Sequence, residues 1–123
     1  MFGVGDVIAF ESVEAGKRKF HLCISFDGHY LFINSPKPRV YPGDFIVDCK
    51  ELPFLTPTSS GKSVISCSLV MKKSEAELTQ SRAKKLGSVS HNLLSDLIKF
   101  VQASPLLTED EKDAIIEAAG DWA

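Results

Sequence analysis

Asp27-Gly28 separates two apolar runs, Phe20-His21-Leu22-Cys23-Ile24-Ser25 and His29-Tyr30-Leu31-Phe32-Ile33-Asn34. An Asp-Gly pair between strand-like segments is among the strongest short-range signals for a tight antiparallel hairpin, because glycine accepts the positive φ that such a turn demands. The sequence therefore predicts a hairpin over residues 20–34, and the rest of the fold has to accommodate it. Two prolines in Ser35-Pro36-Lys37-Pro38-Arg39 end the second arm, since proline has no N–H to give a neighbouring strand.

Further strands are expected on both sides. Gly5-Asp6 leads into Val7-Ile8-Ala9-Phe10, Phe45-Ile46-Val47 forms a short apolar run, and Ser63 to Val70 alternates small polar with apolar residues. Glu14 to Lys19 reads as a polar loop with a glycine for chain reversal, and residues 52–61 as an irregular crossing. Beyond residue 73 the period shifts towards 3.6. Ser74-Glu75-Ala76-Glu77 has capping-box order and predicts a helix from Ser74 ending before Gly87. A second helix follows Ser88 or Ser90, with Leu93, Leu94, Leu97, Ile98 and Val101 forming one apolar stripe and His91 in its first turn. Thr108-Glu109-Asp110-Glu111 starts a third helix through Ala119, with Gly120 at the residue after it. The expected architecture is α+β: a small antiparallel β barrel or sheet of five or six short strands in residues 3–73, then two to three packed helices in residues 74–120. The 123 residues suit one domain with one core.

Composition excludes disorder and disulfide scaffolds, with 44% hydrophobic and 24% charged residues. No apolar run approaches the roughly eighteen residues that span a bilayer, and the N-terminus lacks the pattern of a signal peptide. A cytoplasmic protein without a membrane anchor is expected. Cys23, Cys49 and Cys67 are too widely spaced for a CxxC site and read as buried free thiols. The three histidines have no carboxylate or thiolate at metal-ligand spacing, so neither metal nor cofactor is expected. Thr58-Ser59-Ser60-Gly61-Lys62-Ser63 superficially resembles a phosphate loop. Thr56 replaces its first glycine and a strand, not a helix, is expected after it, so Gly61-Lys62 reads as a surface turn.

The formal charge of −2 conceals an asymmetry: residues 1–73 carry nine Lys/Arg against seven Asp/Glu, and the remainder five against nine. A nucleic-acid ligand would lie on the basic half. That half holds two basic clusters, Lys17-Arg18-Lys19 and Lys37 with Arg39, the second beside Asn34 and Ser35. Metal-free RNA cleavage needs a cation on the phosphorane, a group to take the 2′-OH proton and a hydroxyl or amide to orient the phosphate. Arg18 or Lys19 would supply the first, His21 or His29 the second, and Ser35 the third, while Lys17, Asn34, Lys37 and Arg39 would hold the strand.

The order Gly5-Asp6-Val7-Ile8, a glycine-containing basic loop, Leu22-Cys23-Ile24-Ser25 and a hairpin partner resembles the PemK/MazF family of toxins. Gly61 to Val70, Ser74 to Leu86, the Gly87 break and Leu93 to Val101 are similar to its later half. The likeness covers residues 3–103 and leaves the tail from Pro105 as an addition. It implies a compact β barrel with helices, a homodimer, metal-independent cleavage of single-stranded RNA, and an antitoxin whose tail covers the active face. The chain departs from the family pattern in having Phe20 where proline usually follows the arginine, and Ser35 or Asn34 where a threonine ends the third strand. A non-catalytic binding domain on the same fold, recognising a protein or a nucleic acid, is the alternative.

Overall fold

The computed structural model describes residues 2–12, 16–105 and 107–119. Among the described residues seven strands form one sheet: β1 (Asp6–Ser12), β2 (Lys17–Cys23), β3 (His29–Asn34), β4 (Asp44–Asp48), β5 (Lys62–Ser66), β6 (Met71–Lys72) and β7 (Lys84–Ser88). Helices α1 (Glu75–Gln80), α2 (His91–Ala103) and α3 (Glu109–Ala119) complete the α+β architecture. Strand order is β4-β5-β3-β2-β1-β7, and β6 pairs with the start of β3. The sheet stays open with β4 and β7 as its edges, so the sheet form of the expectation holds and the barrel form does not.

The expected hairpin is present, with Phe20 opposite Ile33 and Cys23 opposite Tyr30. Its turn is closed by the N–H of Gly28 on the Ser25 carbonyl at 3.3 Å. Gly28 is required twice. Its φ is +86°, and a Cβ would lie 2.5 Å from the Lys73 carbonyl oxygen. That approach lets the N–H of Lys73 reach the Gly28 carbonyl at 2.9 Å and brings β6 onto β3.

Both faces of the sheet are buried, which is why its strands read as apolar runs. Val7, Leu22, Leu31, Ile33 and Ile65 pack on one face against Leu93, Leu97, Ile98 and Val101 of α2 and Ile115 of α3. Ile8, Phe10, Cys23, Tyr30, Met71 and Leu78 of α1 form the core of the other. The stripe read from the sequence is thus the buried stripe of α2, with Ser90 as its N-cap.

Three expectations need correction. The helix from Ser74 has its capping box but stops at Gln80, and residues 84–88 form β7 on the outer edge of β1. The helix ends because Arg82 takes φ +54°, the N–H of Arg82 bonds the Thr79 carbonyl and the N–H of Ala83 bonds the Leu78 carbonyl. This is a Schellman ending with arginine where glycine is usual, so no glycine marks it. Gly87, expected as a helix break, lies inside β7, where a Cβ would fall 2.2 Å from the Phe54 ring. Second, the strand from Ser63 ends at Ser66, and Met71–Lys72 return separately to β3. Third, Lys17-Arg18-Lys19 are not loop residues but the first three of β2. Glu14, Ala15 and Gly120, which also entered the sequence reading, lie outside the described residues.

Candidate nucleic-acid interface

The antiparallel pairing of β2 with β3 brings the basic start of β2 beside the polar end of β3. A cleft of about 270 Å³ opens there, lined by Lys17, Arg18, Lys19, Asn34 and Ser35 with Phe20. Five of the nine residues singled out in the sequence therefore meet in one place. Leu55, Thr56, Thr58 and Ser63 close its other side. These four were missed, although the hydroxyl-rich run from Thr58 to Ser63 was a visible signal once the phosphate-loop reading was set aside.

Each cation is held differently. Arg18 donates to the carbonyls of Ala9, at 3.3 Å, and Arg82, at 3.4 Å, so its guanidinium also ties β2 to the turn before β7. Lys19 donates Nζ–H to Asn34 Oδ1 and lies 5.9 Å from the centre of the Phe32 ring. Burial, with Lys17 and Lys37 nearby, holds the Lys19 ammonium below the ordinary lysine value of 10.5. An anion in the cleft would relieve that repulsion, whereas a neutral ligand would not. Phe20 is 41% exposed and lines the same cleft, so the cleft offers an aromatic face as well as cations.

The remaining expected residues are elsewhere. His21 is fully buried, stacked on Phe10 with ring centroids 3.8 Å apart and tilted against Phe32 at 5.0 Å. It belongs to the core and cannot reach a substrate, because β2 is buried from His21 to Cys23. His29 opens β3 at the far end of the hairpin, where its Nδ1 lies 2.6 Å from Ser25 Oγ. The same hydroxyl accepts the N–H groups of Asp27 and His29, so the pair fastens the turn. Arg39 lies over the Tyr41 ring at 5.7 Å and lines a separate groove with Val40 and Phe100. Lys37 stands outside the cleft but close enough to act on Lys19.

Of the thiols, Cys23 and Cys67 are buried as expected, and burial pushes Cys67 up to about 12. Cys49 is only partly buried. Its sulfur is 3.6 Å from the hydroxyls of Thr58 and Ser63 in the cleft wall, and hydrogen bonds from Thr58 and Ser63 hold the thiol below its ordinary value. Among the described residues no three His, Cys, Asp or Glu side chains are grouped as a metal site, and no helix is long and apolar enough to cross a membrane.

Comparison with known proteins adds no relative: no protein-family model matches the chain, and no curated protein matches it significantly.

Proposed function

We propose that the cleft between β2 and β3 binds single-stranded RNA and cuts it without a metal ion, as the likeness to PemK/MazF toxins implies. The convergence of Lys17, Arg18 and Lys19 with Asn34, Ser35 and exposed Phe20 carries the reading. Cations that follow a backbone and an aromatic face that stacks a base are what an unpaired strand requires. In the cleavage step the 2′ oxygen attacks the adjoining phosphorus, and the bond to the 5′ oxygen of the next nucleotide breaks, leaving a 2′,3′-cyclic phosphate and a 5′-hydroxyl. Lys19 takes the 2′-OH proton in the fraction of molecules whose amine is free, a fraction raised by the burial and the neighbouring Lys17 and Lys37 that lower its pKa. Arg18 stabilises the phosphorane, Ser35 orients it, and Lys17 returns a proton to the departing oxygen.

A second reading, binding without cleavage, is favoured by one observation: neither His21 nor His29 reaches the cleft, so neither serves as the base. The family likeness further implies a cytoplasmic homodimer and an antitoxin tail covering this face, which would compete with RNA.

Incubating a long single-stranded RNA in EDTA with wild type and Lys19→Ala decides between the readings. Discrete cuts by wild type, reduced about 10²- to 10⁴-fold in the variant, are the expected result for loss of a general base. RNA bound but left whole moves the assignment to the binding domain. RNA neither bound nor cut overturns both.

A further inference from the structure

Asn34 and Ser35 also line a second cavity, of about 440 Å³, on the other side of the end of β3. Its wall includes Lys37, Tyr41, Asp44, Ser66, Ser68 and Glu111. The two cavities share these two residues as a common border, so a strand lying across Asn34 and Ser35 would present successive nucleotides to both.

The second cavity is built rather than incidental. Tyr41 and Asp44 bond each other's backbone and side chain: the Tyr41 N–H donates to Asp44 Oδ2 and the Asp44 N–H to the Tyr41 carbonyl, each at 2.9 Å. Gly43 between them lies so close to Ser68 that a Cβ would fall 2.0 Å from its hydroxyl oxygen. The Cys67 N–H holds the same turn through the Gly43 carbonyl at 2.8 Å. From α3, Glu111 enters with Oε1 accepting the Thr108 N–H at 2.8 Å. One oxygen of each carboxylate is thus engaged by a backbone donor.

Carboxylates accept hydrogen bonds and do not donate them, and two of them oppose entry of a phosphate. What suits this cavity is an uncharged flat ring with adjacent donors, placed near an aromatic face, beside a cation for the neighbouring phosphate. Among the four RNA bases only guanine carries two neighbouring donor groups, N1–H and N2–H2, on its Watson–Crick edge. Adenine and cytosine offer one amino group next to an acceptor, and uracil offers one N–H between two carbonyls.

We infer that this cavity reads a guanine of the strand held in the adjoining cleft, with Asp44 and Glu111 accepting from its Watson–Crick edge and Tyr41 supplying the stacking face. The inference rests on the RNA reading above and adds base specificity to it. Recognition of unpaired bases by stacking and edge hydrogen bonds is the common mode for single-stranded RNA.

The test uses 2′-fluoro pentanucleotides, which cannot be cut by 2′-oxygen attack, with uracil at four positions and each base in turn at the centre. Wild type is expected to bind the guanine strand about tenfold more tightly than the all-uracil strand, the order of discrimination given by one good two-point contact. Asp44→Asn and Glu111→Gln keep an oxygen for the Tyr41 and Thr108 N–H groups but replace an acceptor by a donor. Each should abolish most of the guanine advantage while leaving all-uracil binding within about twofold, since phosphate contacts carry no base information. Lys19→Ala should weaken every strand alike. Strands bound with no guanine preference, or a preference that survives both carboxamide variants, overturn the inference and spare the RNA reading. If no strand binds, the RNA reading fails and the inference fails with it.

Discussion

His21 shows how one residue's surroundings decide its role. Its ring lies parallel to Phe10, with 9° between planes, and against Phe32, a position in which imidazole acts as a flat core side chain. Truncating a buried ring of this size leaves a cavity that neighbours fill only in part. His21→Ala is therefore expected to lower stability by about 2–5 kcal/mol, the range for large-to-small core substitutions, as read by urea unfolding. Under the proposed function, the fraction still folded should act on RNA as wild type does. A variant of unchanged stability and lost activity would return His21 to the site. Lys19 is the contrasting case: the charges acting on it are the cations Lys17 and Lys37, and its hydrogen-bond partner Asn34 is uncharged.

At the scale of elements, the edge strand β7 depends on Asp6. Its Oδ2 accepts the Gly3 N–H at 2.8 Å, and its Oδ1 accepts the Ser88 hydroxyl at 2.8 Å and lies 3.2 Å from Lys85 Nζ. One carboxylate joins the start of β1 to both ends of β7's pairing. Burial tends to raise the Asp6 pKa, but the bonds from Gly3, Ser88 and Lys85 outweigh it and hold the group below 3.8. A carboxyl depressed in the folded state contributes stability that is present above its unfolded pKa and is lost as pH falls through the folded one. Wild type should consequently lose this contribution only below about pH 4, close to the unfolded aspartate value. Asp6→Ala should be less stable at neutral pH by about 1–3 kcal/mol, the cost of stripping partners from part-buried donors, with the gap closing in acid. A gap that stays constant down to pH 2 would show that Asp6 acts through packing, not charge.

Across the whole molecule, the two cavities that share Asn34 and Ser35 differ in charge: Lys17, Arg18 and Lys19 line one, and Asp44 and Glu111 line the other with Lys37. Binding of a polyanion there should weaken with salt. Contacts to three phosphates from Lys17, Lys19 and Lys37 correspond to a slope of about −2 in log K against log[salt], from about −0.7 per phosphate on a single strand. A titration series between low and physiological salt measures it. A slope near zero would assign affinity to base stacking alone and leave the cations without a role.

Local chemistry was sufficient for much of this. The Asp27-Gly28 hairpin, the exits at Pro36 and Pro38, the capping boxes at Ser74 and Thr108 and the apolar stripe of α2 depend on residues adjacent in the chain or one helical turn apart, so the sequence by itself determined them. The meeting of Lys17–Lys19 with Asn34 and Ser35 was half legible, because pairing across a tight hairpin sets which ends of its arms coincide. Tertiary structure alone decided the rest. Residues 84–88 became a strand because β1 offered a free edge and Phe54 left room only for a glycine at residue 87. His21 went to the core because both faces of the sheet are covered along the second half of β2, and His29 was fastened at the turn by Ser25. Asp44 and Glu111, far apart along the chain, line one cavity only because the tertiary fold brings the starts of β4 and α3 to the same place.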